Sequence, residues 1–357
     1  MNILIELSHL DEEELIMTKL KVGVIGCGSI ARYRHLPEYA ANGQVEIAAV
    51  CDIVESRAAE MAEQYNAKAY TDYEQMLADA DLDIISVCTP NYLHAPMSIA
   101  ALNAGKHVLC EKPMATSEED ALAMIEAAKS NDKKLMIAHN QRFVPSHVKA
   151  RELIENGEVG RIFSFRTAFG HPGPEGWSID GKGSWFFRKE EAFIGAMGDL
   201  GVHKTDLLRY LLGEDFVEVG AFVESNAKEN STVDDNAVCV LKSESGIVGT
   251  LAASWAYGRE DNSTIIYGEN AVLRLEDNPQ YSLVVQYRNG QTVNYELGKI
   301  QSNDDGGQGS TRVIKNFVDS IVNDTVPPID GVEGMKSLNV VLAALESSQT
   351  KQIVKVK

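Results

Sequence analysis

Lys112, Asp199 and His203 are the side chains whose types suit proton transfer. Lys112 lies in Glu111-Lys112-Pro113, directly after the apolar run HVLC at 107–110. In open α/β sheets ligands bind outside the carboxyl ends of the strands. A lysine there can hydrogen-bond a substrate hydroxyl and shift its proton. Asp199 and His203 stand at i and i+4 in GDLGVHKTD, 198–206. Leu200, Leu207, Leu208 and Leu211 mark the apolar face of a helix there. The spacing puts the aspartate and the histidine on one face. A carboxylate beside an imidazole raises the basicity of a ring that already titrates near neutrality. The plain alternatives are a surface lysine, a capping aspartate and a packed histidine. Asp206 is read as a buttress of the helix. No metal is expected, because catalytic zinc usually takes three protein ligands and no clear third is evident.

A second constellation concerns a dinucleotide. Gly26-Cys27-Gly28-Ser29-Ile30-Ala31 follows the strand-like run KVGVIG and opens a helix. Gly26 permits the tight turn, Gly28 lets the backbone approach a pyrophosphate, and Ala31 keeps helix and strand close. The amides of Ser29 and Ile30 would offer donors at the helix start. Asp52 ends the next strand, where a carboxylate accepts from the adenosine ribose and repels a 2′-phosphate. NAD is therefore the expected cofactor, with NADP left open by Arg57. Thr89-Pro90-Asn91-Tyr92-Leu93-His94 follows another strand end, so Thr89, Pro90, Asn91, His94, Glu111 and Lys112 join the cofactor-binding candidates. For His94 the competing reading is a helix-start residue.

The elements that must hold these groups fall into two sets. From Lys21 to about Ile137, apolar runs (21–26, 45–52, 83–89, 107–113, 134–139) alternate with helix-like stretches. Runs that are apolar throughout are strands covered on both faces, and their alternation with helices implies a parallel, doubly wound sheet. Ser117 with Asp120 marks a helix start. Beyond a helix at 144–160, runs such as DNAVCVLKS and IVGTLAASWA alternate with period two and are separated by turn signals. They predict a mostly antiparallel sheet with one open face, interrupted by the 199–212 helix. Helices at 311–324 and 331–350 close the chain, after a loop at 301–310. An α/β protein follows: residues 1–19 as an extension, 20–140 as the dinucleotide domain, 141–357 as the substrate-binding and oligomerisation domain.

Composition sets outer limits. The 357 residues carry 33 Lys plus Arg against 52 Asp plus Glu, a formal net charge of −19. Such a chain is a poor partner for nucleic acid or an anionic membrane surface. No apolar run approaches the length of a membrane span. The N-terminus lacks a basic region, and Asp11 to Glu14 interrupt it, so it does not read as a signal peptide. Five scattered cysteines fit a reducing compartment, and a cytoplasmic location is expected.

Together GCGSIA, TPNYLH, the EKP tripeptide, HNQRF (139–143) and the D-x-x-x-H-x-x-D helix resemble the Gfo/Idh/MocA oxidoreductases, across about Leu20 to Val356. The resemblance implies a Rossmann domain followed by an α/β domain whose open-faced sheet makes dimer or tetramer contacts. It implies NAD- or NADP-dependent oxidation or reduction of sugars, inositols and related polyols. Carried over by position, Lys112, Asp199 and His203 form the catalytic trio, with His203 as acid/base. Arg142 and Trp185 fall at pocket positions. One departure stands out: where many members carry a glycine cluster, this chain has Phe193 and Ile194, which are expected to reshape the pocket.

The stretch FGHPGPEGWSIDGKGSWFFRKEE at 169–191 is rich in glycine and aromatics. Indole faces suit the C–H faces of a sugar ring. His171, Trp177, Trp185 and Arg188 are the substrate candidates, against the bland reading of an ordered loop. Two other functions share these motifs: a glycosidase using a transient NAD redox step, and a non-enzymatic dinucleotide sensor. A sensor has no need of the proton-transfer residues.

Overall fold

The computed structural model describes residues 19–298 and 311–357. The expected loop at 301–310, and all but the last residue of the expected 1–19 extension, lie outside the described residues. In the first half, strands β1 (Leu20–Ile25), β2 (Val45–Cys51), β3 (Lys68–Tyr70), β4 (Ile84–Val87), β5 (His107–Cys110) and β6 (Leu135–Ile137) form a sheet. Its order is β3-β2-β1-β4-β5-β6, and every pairing is parallel. Between them run α1 (Leu36–Ala40), α2 (Glu55–Tyr65), α3 (Tyr73–Asp79), α4 (His94–Asn103) and α5 (Glu118–Ser130). Strand residues such as Val22, Val24, Ile84, Ile85, Val108 and Leu109 are fully buried. Leu36, Met61, Met76, Leu102 and Met124 from the five helices share that core. Unbroken apolar strands therefore mean a sheet covered on both faces.

Local chemistry sets the helix starts. Ser117 Oγ accepts from Asp120 N at 3.1 Å, as expected of a cap. Asp72 caps α3, accepting from Glu74 N at 2.8 Å and Gln75 N at 3.2 Å. The expected helix at 31–43 begins with a π-helical turn, Ala31–His35, before α1.

The second half begins with α6 (Pro145–Glu155) and β7 (Ile162–Gly170), followed by the short α7 (Lys189–Ala192) and by α8 (Val202–Leu212). Then come β8 (Phe216–Glu224), β9 (Asn236–Ser243), β10 (Val248–Ser254), β11 (Thr264–Gly268), β12 (Ala271–Leu275), β13 (Leu283–Tyr287) and β14 (Thr292–Tyr295). With β15 (Val354–Lys355) they make a sheet of order β14-β13-β12-β11-β7-β10-β9-β8-β15. Within this second sheet only β7 and β10 pair in parallel among the described residues. One face, with Cys239, Leu241, Leu251 and Leu273, packs against α6, α8 and the last long helix. The other face leaves Phe222 66%, Val238 50% and Val240 50% exposed. Period-two alternation produces this division directly.

The chain ends with α9 (Val313–Val322) and α10 (Gly331–Thr350). Val313, Ile314, Phe317 and Val318 of α9 pack into the first core, not the second. A cut at residue 140 therefore misplaces α9. The cause is the return of the chain: Ile137 N donates to Ile329 O at 2.9 Å beside β6. The first turn of α10 packs against the first core, with Gly331 close to Leu135 and Gly334 close to Ile137. Its later residues Val340, Val341, Ala343 and Ala344 belong to the second core.

Candidate active site

Strand order reverses between β1 and β4, and a crevice at such a switch point is where ligands bind. A cavity of about 820 Å³ opens there, between the two halves. Its floor is the glycine turn. Gly26 has φ +92°, and a Cβ on it would meet the Cys88 carbonyl oxygen at 2.5 Å. That turn requires glycine. Gly28 faces open space, with nothing within 4 Å of an added Cβ. Thr89 Oγ1 is buried at the cavity wall and has no hydrogen-bond partner among the described residues. An open backbone cradle and an unused hydroxyl fit a polar, anionic ligand laid across the turn. Asp52 is held beside it, accepting from Cys27 N and Val54 N, both at 2.8 Å. Each of its oxygens keeps a lone pair for ribose hydroxyls.

At the far end β5 delivers Lys112. Its Nζ donates to Asp199 Oδ1 at 2.7 Å and to the Asp199 carbonyl at 3.0 Å. Trp255 Nε1 donates to the second carboxylate oxygen, Oδ2, at 3.2 Å. His203 lines the same cavity. Its ring lies 5.9 Å from Phe169 and 6.3 Å from His139, centroid to centroid. Burial, then the charge of Lys112, push its pKa well below the ordinary histidine value. The ring is neutral at pH 7, the form that accepts a proton. Its Nδ1 is buried without a partner among the described residues, so Nε2 is the nitrogen through which it meets a ligand.

Lysine and histidine thus come together as their positions predicted, but Asp199 and His203 do not couple. Asp199 sits in a π-helical turn, Met197–Gly201, that precedes α8. Its carboxylate is spent on Lys112 and Trp255. An ammonium at 2.7 Å is a stronger partner than a neutral buried ring. Asp206 buttresses α8, as expected.

Four further expectations need correction. Arg142 is no pocket residue: its Nε and Nη2 grip Asp206 at 2.8 and 2.7 Å, and Nη2 also reaches Glu333 at 2.9 Å. That guanidinium ties α8 to α10. His94 borders the cavity, yet its ring nitrogens face the carbonyls of Pro113 (2.7 Å) and Thr89 (2.8 Å). It staples two strand-end loops together, so the helix-start reading wins over cofactor contact. Glu111 also borders the cavity, but its carboxylate is engaged by other side chains. It pairs with Arg34 and, at 2.8 Å, with His35. Burial would raise its pKa, but Arg34 and His35 hold it well below the usual carboxylate range. Phe193 and Ile194 line no part of the cavity; both pack in the second core. Of the remaining cofactor candidates, Ala31 is fully buried and acts by packing. Asn91 borders the cavity while its amide donates to the Ala192 carbonyl at 2.9 Å.

His171, Trp177, Trp185 and Arg188 all line the cavity. Trp185 stacks on Phe186 at 3.9 Å, and Trp177 meets the edge of Phe186 at 5.1 Å. These rings form an aromatic wall of the cavity. Arg188 is more committed, donating to Glu191 Oε2 at 2.5 Å and to the Gly183 carbonyl at 2.7 Å. Sequence reasoning missed Phe169, Phe186, Gln141 and Asp180 on the lining, and Trp255 behind Asp199. No spacing rule marks Trp255, because β10 brings it in from 56 residues beyond Asp199. Among the described residues no cluster of three or more His, Cys, Asp or Glu is arranged to hold a metal ion.

Comparison with known proteins agrees with this geometry. A model described as "Oxidoreductase family, NAD-binding Rossmann fold" matches residues 20–139, and a GFO/IDH/MocA C-terminal domain matches 147–274. Levoglucosan dehydrogenase of Pseudarthrobacter phenanthrenivorans is 33% identical over 282 residues, 70% of this chain and 71% of that protein. Myo-inositol 2-dehydrogenase of Thermotoga maritima is 28% identical over 350 residues, 95% and 99% of the two chains. A solved levoglucosan dehydrogenase in complex with NADH superposes with a TM-score of 0.83 at 27% identity, covering 95% of this chain and all (100%) of that one. The cradle at Gly28, the Asp52 carboxylate and the free Thr89 hydroxyl fit the NAD that this family binds. The chain belongs to the Gfo/Idh/MocA family and is an NAD(P)-dependent oxidoreductase acting on CH–OH groups.

Proposed function

We propose that the protein is an NAD-dependent dehydrogenase of a sugar, a sugar derivative or a cyclic polyol, with Lys112, Asp199 and His203 at the reacting carbon. One observation carries the reading: an ion-paired lysine and a neutral histidine share the cavity that contains the glycine turn. Bound NAD supplies the hydride acceptor. The substrate hydroxyl is held by the Lys112 ammonium, and His203 Nε2 takes its proton as the carbinol is oxidised. Accepting there requires the tautomer with hydrogen on Nδ1. Asp199 positions Lys112, and Trp255 positions Asp199. The aromatic wall of Trp177, Trp185 and Phe186 gives a ring-shaped, hydroxylated substrate an apolar surface to lie on. The relatives act, by name, on levoglucosan and myo-inositol, which supports this substrate class.

Residues 20–140, with α9 packed on them, are assigned to the cofactor, and the rest of 141–357 to substrate and assembly. The exposed apolar row of Phe222, Val238 and Val240 on the second sheet is the face we assign to a homodimer or homotetramer. Five free, buried cysteines suit a reducing compartment, and we place the protein in the cytoplasm. Among the described residues no helix is long and apolar enough to cross a membrane. With its net negative charge, we propose neither membrane nor nucleic acid as a partner.

The test is a panel of sugars, anhydrosugars and inositols with NAD and NADP, followed at 340 nm (the nicotinamide absorbance). Stoichiometric formation of NADH with at least one member is expected. Product release without net NADH would instead identify the glycosidase, and binding without any turnover the sensor.

A further inference from the structure

Residues 174–183 belong to the second half of the chain but lie on the glycine turn of the first. Ser29 Oγ donates to the Trp177 carbonyl at 3.2 Å and accepts from the Ile179 amide at 3.0 Å. The next residue, Asp180, takes Arg57 Nη2 on its Oδ1 at 2.5 Å. The far side of the strap is anchored to its own half, where Asn230 Nδ2 donates to the Lys182 carbonyl at 3.1 Å.

This ion pair sits at a chemically sensitive place. Arg57 is in the first turn of α2, five residues after Asp52. The cavity wall made by residues 51–57 and 71–74 contains the carboxylates of Asp52, Asp72 and Glu74, and Arg57 is its one cation among the described residues. NADP differs from NAD by a phosphate on the ribose 2′-oxygen, the group that a carboxylate at the end of the second strand reads. Accepting that phosphate needs a guanidinium with its donors free. Here the only candidate on this wall is already paired.

We propose that Asp180 is a selectivity residue: carried in from the opposite domain, it occupies Arg57 and sets the site against 2′-phosphorylated dinucleotides. This deepens the NAD-dependent reading above and rests on it. Asp52 repels the extra phosphate, and Asp180 removes the cation that would offset that repulsion. Selectivity is then a property of the closed strap as well as of the Rossmann half.

The experiment is equilibrium binding, by titration calorimetry, of NAD and of NADP to the full chain. Wild type is compared with Asp180→Asn, Asp180→Ser and the double variant Asp180→Asn with Arg57→Ala. Both single variants should bind NADP about tenfold more tightly, with NAD changed by less than about threefold, since the pair is partly exposed. The double variant should lose the gain. Unchanged NADP affinity in both single variants, with NAD still bound, overturns the proposal and leaves the functional reading standing. A gain that survives the loss of Arg57 overturns it too. Wild type that binds neither dinucleotide sinks the functional reading, and the proposal with it.

Discussion

Glu111 and Lys112 are neighbours in the chain and point into two different charged clusters. Behind the strand tip, Glu111 meets Arg34 and His35, and Glu111, Arg34 and His35 are 4%, 2% and 0% exposed. In front of it, Lys112 meets Asp199 at the cavity, where Trp255 and His203 complete the group. The rear cluster also borders the cavity, through Arg34 and Glu111, but Ser86 Oγ, 2.7 Å from His35 Nδ1, takes up the remaining ring nitrogen. The front cluster is open, with His203 facing the cavity and its Nδ1 unused. The two share residue types, so charge alone does not mark a catalytic site. What separates them is that both ring nitrogens of His35 are engaged, while His203 lines the cavity and its Nδ1 has no partner among the described residues.

Breaking the rear cluster should cost stability. Glu111→Gln leaves buried Arg34 without its carboxylate, and removing one partner of such a pair costs about 3 kcal/mol or more. Chemical denaturation should read that loss. Breaking the front cluster should cost turnover. His203→Ala or Lys112→Ala should lower kcat by a factor of about 10² or more; the unfolding midpoint should change little for His203→Ala, while Lys112→Ala also leaves the buried Asp199 carboxylate without its cation and should lose stability as well. If both front variants turn over normally, the division between the clusters is wrong.

Finer changes sharpen the contrast. Trp255→Phe removes the indole N–H from Asp199 Oδ2 together with part of a fully buried ring, so some stability is lost as well. One hydrogen bond of that kind is worth about 1 kcal/mol, or roughly fivefold in kcat, and the pH profile should not move. The smallest effect is on pH itself. The His203 pKa lies well below 6.5, and a base works only when deprotonated. Oxidation should therefore stay level as pH falls from 7.5 past the ordinary histidine value, and decline only below it. An acid limb of kcat/KM centred near 6.5 would show that His203 is not the base.

How much of this could be read from residues alone depends on range. The parallel sheet was legible because Val22, Val24, Ile84 and Ile85 lie in short, unbroken apolar runs. The glycine turn was legible because Gly26 to Ala31 act within six consecutive residues. β3 and α3 were not, since Lys68–Tyr70 is too short and polar to show a period. Lys112 and His203 were picked out by type and by position at element ends, and the fold puts both on the cavity. Arg142 was misread because a buried arginine and a pocket arginine have the same local sequence; Asp206 and Glu333, which decide between them, are 64 and 191 residues away. Asp199 was paired with the wrong neighbour for the same reason. Helical spacing proposes contacts within an element, but a carboxylate goes to the strongest partner that the fold supplies.

α10 has a consequence for motion. Its 20 residues span about 30 Å, with Met335, Leu338 and Leu342 toward the first core and Val340, Val341, Ala343 and Ala344 in the second. A clamshell rotation of the two halves would have to pull one end of this spar out of its socket. Moving residues 174–183 instead would break the Ser29 and Arg57 contacts and leave the packing of α10 intact.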